Sequence, residues 1–219
     1  MAGTAYEGTY IHKKEGFYYF FASIGTCCEG LNSTYTTVVA RSENLFGPYV
    51  DKNGRTMMDN QHEVLIHKNS SFVGTGHNSE IVTDKVGNDW VFYHAVATKH
   101  PEGRVLMMDK ISWKDGWPVI GVDIDMNGIG EPVKVWTKPN TGKKVPVSFP
   151  QGGDSFDSPE LNLQWQFNHN PSDADWNLTE RKGWLLLKAL KADHLRASRN
   201  MLTQKCIGYE GTVTTEMDM

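Results

Sequence analysis

Apolar and aromatic residues fall in short runs closed by Gly, Asn or Asp, and none keeps the 3.6-residue spacing of a long amphipathic helix. Gly16 to Ser23, Thr36 to Ala40, Trp90 to Ala97 and Arg104 to Ile111 are rich in aromatic and β-branched side chains. Such side chains suit a pleated, half-buried surface, so each run is predicted to be a strand. Leu185 to Leu195 is the best helix candidate, but its three leucines follow Lys182-Gly183 and read at least as well as a strand. The expected fold class is all-β.

The order of the runs repeats. From Glu7 come a short strand, a turn at Lys13 to Gly16, the aromatic strand Phe17 to Phe21, a loop and the strand Thr36 to Ala40. From His77 come Ser79 to Thr83, a turn at Asp84 to Asp89, Trp90 to His94, a loop and Arg104 to Met108, with Phe17 and Trp90 offset by 73 positions. Strand sets at this spacing predict propeller blades, and unrelated hairpins in a sandwich fit the pattern equally. A propeller closes with about four to eight blades of four strands. Residues 1–145 hold two blades and part of a third, so an incomplete ring is expected, its exposed strand edges open to self-association.

Lys138 to Lys144 shifts to Pro, Gly and Lys and is predicted to be a linker. Residues 146–219 offer Leu163 to Phe167 with period-two alternation, Trp184 to Leu187, and Gly211 to Glu216. These are expected to begin a β-sandwich, cut short because such domains take about 100 residues.

Composition narrows the function. With 22 Lys and Arg against 26 Asp and Glu, a formal charge of -4 leaves no broad basic surface for nucleic acid or anionic lipid. No apolar stretch approaches the roughly 18 residues needed to span a bilayer. The N-terminus lacks the basic and apolar regions of a secretory signal, which predicts a cytoplasmic protein or a chain whose true beginning is missing. Pairing the adjacent Cys27 and Cys28 strains bridge geometry and leaves Cys206 over, so buried thiols are expected.

Glu7, among Tyr6, Gly8 and Tyr10, is a candidate general acid if its neighbours form a closed, poorly hydrated pocket. His77 follows Gly74-Thr75-Gly76, whose glycines permit close backbone approach, and is a candidate metal ligand or substrate contact. His94, inside a strand, reads as a hydrogen-bonded core histidine, and Cys27 to Tyr35 as a pocket-lining or packing loop. No His-x-x-x-His or Cys-x-x-Cys spacing suggests a structural zinc site.

Taken together, Glu7-Gly8-Thr9-Tyr10-Ile11, Cys27 to Tyr35 with Ala40-Arg41-Ser42, Phe46 to Lys52, and Gly74 to Ser79 resemble glycoside hydrolase family 43. Trp90 to Ala95 and Trp113 to Ile120 fit the same family in order and spacing, and residues 154–219 resemble the concanavalin-like sandwich that follows the propeller in many members. The resemblance implies a five-bladed propeller that hydrolyses arabinofuranosidic or xylosidic bonds with inversion, on a plant polysaccharide or oligosaccharide. It implies Glu7 as general acid and His77 as ligand to a calcium or similar ion at the propeller axis, although Thr75 replaces the family's usual proline. It also points to Cys28, Ser33, Thr34 and Asn78 as substrate contacts, and to a secreted or periplasmic full-length parent. No segment before Glu7 supplies the base aspartate, so a fragment with half of the two-carboxylate chemistry is expected. The Cys-Cys loop leans toward arabinan and the appended sandwich toward exo action, with α-L-arabinofuranosidic linkages favoured. The rival expectation is a carbohydrate-binding protein without turnover, since its seven Trp and eight Tyr can stack on sugars.

Overall fold

The computed structural model describes residues 2–144, 146, 148–149, 151–206, 208 and 210–218. Among them there is no α-helix, only strands and short 3₁₀ turns, as the run pattern predicts. The chain divides into two compact units, Met1–Lys144 and Val145–Met219.

The first unit holds two antiparallel strand sets in the order the repeat predicts. In the first set, β1 (Glu7–Lys14), β2 (Phe17–Ile24), β3 (Thr36–Ser42) and β4 (Glu63–Val64) pair in succession. The second opens with an interrupted strand, β5 (Phe72–Gly76) and β6 (Ile81–Thr83), both paired with β7 (Asp89–Ala97). It continues through β8 (His100–Lys114) and β9 (Trp117–Ile120). A parallel bridge between Thr36 and Thr75 links the sets, and the sheet path does not close. This is the partial propeller.

One hairpin in each set shares the same turn chemistry. Glu15-Gly16 and Asp115-Gly116 each join two strands, with both residues at positive φ (49° and 86°, 52° and 73°). That is the two-residue geometry whose twist matches a hairpin. Successive side chains of β2 point to opposite faces. Tyr19 and Phe21 enter a core between the sets with Val39, Val91, Tyr93 and Ile120, whereas Phe20 and Ala22 enter a second core with Val38, Tyr49 and Met57. Both faces are buried, which is why this run reads as continuously apolar.

Residues 121–137 fold back: Val122 bridges Glu131, and Gly130 lies beside Ile66. Asp109 on β8 accepts hydrogen bonds from the Val133 N–H and the Trp136 indole. This carboxylate anchor is invisible to periodicity.

Asp89 ties the two sets. Its carboxylate is 2.9 Å from Lys14 Nζ on β1, 2.7 Å from Trp113 Nε1 and 2.6 Å from Thr83 Oγ1. Burial raises its pKa, but the hydrogen bonds from Thr83, Lys14 and Trp113 outweigh burial and hold it below the ordinary carboxylate value. A depressed pKa contributes stability above the unfolded pKa, near 4, that is lost as pH falls through the folded one. Asp89→Asn is expected to cost about 2 kcal/mol in urea denaturation at pH 7. The gap from wild type should shrink below about pH 4; a gap that stays constant to pH 3 would rule out this ion pair as its source.

The second unit is sparser. β10 (Trp165–Phe167) pairs with β13 (Leu202–Gln204), and β11 (Trp176–Asn177) with β12 (Leu186–Leu187). Leu178 is its buried hydrophobic side chain among the described residues. Trp165 stacks on Phe156 and donates its indole N–H to Asp154 at 2.8 Å. The strand expected over Gly211 to Glu216 does not form, because no paired strand is described beside it. The Leu185 to Leu195 segment is a short strand followed by a 3₁₀ turn, Leu195–Ala197.

The thiol expectation is corrected. Cys27 and Cys28 are joined by a disulfide in an open loop, with Cys28 exposed, and Cys206 is free and exposed.

Candidate active site

Glu7 begins β1, paired with Ser23 on β2, and the register shifts between Glu7 and Tyr10. A bulge there re-aims the side chain at the strand end. Gly8, at φ 57°, lies against the imidazole of His77: a Cβ on it would stand 3.1 Å from His77 Cγ and Nδ1. The Glu7-Gly8 pair thus brings the acid's backbone against the histidine. Glu7 itself is exposed, not enclosed in the closed pocket expected of it.

His77 sits at the interruption between β5 and β6 in a left-handed conformation, φ 57°. Its backbone N–H donates to Ser23 Oγ at 2.7 Å, and its Nδ1 is 3.3 Å from Tyr35 Oη. Its ring stacks on His94, centroids 6.2 Å apart. Tyr35 closes the Cys-Cys loop and lies flat on the other neighbour of that stack, its ring 5.3 Å from His94 at an interplanar angle of 10°. A Cβ on Gly76 would fall 2.2 Å from Tyr35 Cδ1, so glycine is required there for the ring to lie against the β5 backbone.

Burial, and then a hydrogen bond toward Glu7, push the Tyr35 hydroxyl up to about 12, against a smaller opposing pull from Ser23. Burial, the Arg104 charge and the His77 charge together lower the pKa of His94, with Glu7 opposing, so its imidazole stays neutral at pH 7. Both its ring nitrogens are buried without a hydrogen-bond partner. His94 is a core histidine as expected, but not a hydrogen-bonded one, because its flat faces are taken by rings and no donor or acceptor reaches its edge.

The cluster therefore holds Glu7, Ser23, Tyr35, His77, His94 and the field of Arg104. Sequence reading found Glu7 and His77. It missed Tyr35 and Arg104; the mirrored positions of Glu7 and His77 at the first strand of each set were the signal available for their neighbours. The loop residues expected to touch substrate divide by burial. Ser33 is buried, its Oγ accepting the Glu29 N–H, and Thr34 Oγ1 accepts the Thr26 N–H at 3.0 Å, so both hold the loop's shape. Asn78 is buried with its Oδ1 unpartnered, and Cys28, like Thr34, is exposed.

Among the described residues no group of three or more His, Cys, Asp or Glu side chains could hold a metal ion. A hard cation such as calcium needs six to eight oxygen ligands. His77 alone does not make that site. Two surface cavities, one lined by Lys52, Lys114, Trp117 and Asn127, the other by Asp84, Trp90, Lys110 and Asn140, share no residue with the Glu7 cluster.

Residues 1–118 match the model of the glycosyl hydrolases family 43, and residues 153–219 match the beta xylosidase C-terminal concanavalin A-like domain. A protein of Xylanibacter ruminicola assigned as a beta-xylosidase is 41% identical over 99% of this chain and 38% of its own length. An extracellular exo-alpha-(1->5)-L-arabinofuranosidase of Cellvibrio japonicus is 40% identical over 55% of this chain and 35% of its own. The crystal structure of the Bacillus licheniformis family 43 protein BlXynB superposes with a TM-score of 0.67 at 26% identity, covering 94% of this chain and 38% of that one. The chain spans between about a third and two fifths of these relatives' lengths. With a propeller-type sheet carrying Glu7 beside His77 and both units matched in order, the chain belongs to family 43 of the glycosyl hydrolases.

Proposed function

We propose that these residues form the acid-bearing part of an inverting glycosidase that removes terminal pentosyl units from plant cell-wall polysaccharide, with Glu7 as the general acid. The observation that carries this reading is an exposed carboxyl at a strand-end bulge, on the residue next to Gly8, which lies against the His77 ring. In an inverting mechanism the acid protonates the departing oxygen while a second carboxylate, roughly 6.5 to 9.5 Å away, activates water. The other carboxylates with described partners are engaged elsewhere: Asp51 with Arg55, Asp89 with Lys14, Asp109 with Tyr93. This reading places the base among residues outside these 219, in keeping with relatives of greater length.

The whole-chain relative and the C-terminal domain match both carry the xylosidase name, which supports β-xylosidic linkages over the α-L-arabinofuranosidic ones favoured by sequence reading. The second reading, α-L-arabinofuranosidase, rests on the 40% identity of the propeller part to an arabinofuranosidase.

The test is aglycone release from aryl β-D-xyloside and aryl α-L-arabinofuranoside by the full-length protein, with proton NMR of the first sugar anomer formed. Faster xyloside turnover with an inverted anomer is expected. A retained anomer would refute the mechanism, and a faster arabinofuranoside would select the second reading. Hydrolysis by the isolated 219-residue chain would place the base within it and overturn the assignment to outside residues.

A further inference from the structure

We propose that Tyr6 and His62 are a positioning pair for the acid: the hydrogen bond between their side chains anchors the residue before Glu7 to the turn at residues 57–62 and so fixes where the carboxyl stands. This rests on the assignment of Glu7 as general acid.

The sheet alone does not hold Glu7 firmly. β1 ends the sheet path, paired with β2 and nothing else, and its register shifts between Glu7 and Tyr10. A bulge disrupts the ladder locally, so the strand end takes its position from what precedes it. The preceding residues run along the 57–62 turn. The Gly3 N–H donates to the Met57 carbonyl at 2.9 Å, and the Ala5 N–H to Asn60 Oδ1 at 3.3 Å. Tyr6 Oη stands 2.9 Å from His62 Nδ1, with the Gln61 carbonyl oxygen farther off at 3.4 Å. The two rings meet edge to face, centroids 5.6 Å apart, and the Tyr6 ring packs against the core that holds Phe20 and Met57.

The turn is a firm base for that contact. Met57 is fully buried, and its N–H donates to the Tyr49 carbonyl at 2.9 Å. Thr56 Oγ1 caps the turn by accepting the Met58 N–H, and His62 leads directly into β4, which is paired with β3. A phenol has one proton to donate. Burial holds it on Tyr6 by pushing the hydroxyl up to about 12. Burial also lowers the pKa of His62, aided by the Arg55 charge, against the opposing pull of Asn60, Glu63 and Asp51. The imidazole is therefore neutral at pH 7, and its Nδ1 accepts the Tyr6 proton at the shorter of the two distances. Tyr6 is one peptide from Glu7, so a displacement at the first is passed to the second.

Tyr6→Phe keeps the ring and its packing and removes Oη alone. A misplacement of about 1 Å can cost about 100-fold, and a ring still packed should shift by less. The full-length Tyr6→Phe protein is expected to lose about tenfold in kcat on a phenyl pentoside, with KM within about twofold of wild type. The 2,4-dinitrophenyl pentoside, whose leaving group needs no proton, should stay within about twofold. His62→Ala should repeat this pattern, and the double variant should lose no more than either single one, because the same hydrogen bond is missing from all three. Equal losses on both substrates would reduce the pair to a fold contact and overturn the proposal. Losses that multiply in the double variant, or full activity of Tyr6→Phe on the phenyl pentoside, would overturn it too. Glu7→Gln run beside them separates the two layers. If Glu7→Gln shows the leaving-group dependence and Tyr6→Phe does not, the positioning role is overturned and the acid stands. If Glu7→Gln shows none, the acid reading fails and the role of the pair falls with it.

Discussion

Glu7→Gln is expected to lower kcat on a phenyl pentoside by about 1,000-fold in the full-length protein, about 4 kcal/mol of transition-state stabilisation. Glutamine keeps the shape and a hydrogen-bonding carbonyl but has no proton to give. The departing phenoxide, a poor leaving group, must then leave unprotonated. Dinitrophenoxide leaves readily without a proton, so its pentoside should lose less than about tenfold. KM should change little on either, since the lost interaction exists only in the transition state. The exposure of Glu7 sharpens the expectation, because its substitution disturbs no packing and the variant should unfold at the wild-type denaturant concentration. Equal losses on both substrates would mean that Glu7 binds or orients sugar and that the acid lies elsewhere.

The sequence disclosed the fold where local chemistry decides it. Aromatic runs became β2 and β7, the Glu15-Gly16 turn forced a hairpin, and the 73-position offset between Phe17 and Trp90 marked two equivalent strand sets. What stayed hidden depends on contacts between distant residues. Nothing near Tyr35 announces that its ring would lie on His94, 59 positions away, or against Gly76; those contacts exist only once β5 and β7 pair. The glycines around Thr75 were read correctly as permitting close approach, but the approaching group was unknown. Small polar residues in a loop look alike in sequence whether they are buried, as Ser33 is, or exposed, as Thr34 is. The fold-back after β9 was hidden for a similar reason: one buried carboxylate, Asp109, anchors Val133 and Trp136 against β8.

That carboxylate sets the largest expected stability effect. Asp109 is fully buried and accepts from the Tyr93 hydroxyl, the Trp136 indole and, at 3.2 Å, the Val133 N–H. Burial pushes its pKa up despite these three donors, and burial together with the Asp109 charge pushes the Tyr93 hydroxyl up as well. Asp109→Ala would leave the buried Tyr93 hydroxyl and the half-buried Val133 N–H and Trp136 indole N–H without this acceptor. Each orphaned donor costs about 1 to 3 kcal/mol, and partial relaxation brings the total to about 4 kcal/mol. Asp109→Asn should fare only slightly better, because its amide N–H₂ would face the Trp136 or Tyr93 donor. The pH dependence has the opposite sign to that of Asp89. A carboxyl whose folded pKa is raised favours folding most when protonated, so its contribution is present below about pH 4 and is lost as pH rises through the folded value. Urea denaturation of wild type and Asp109→Ala at pH 7 measures the cost, and tryptophan emission follows Trp136 as its anchor is removed. A loss under about 1 kcal/mol would show that residues 133–136 are held by packing rather than by this carboxylate.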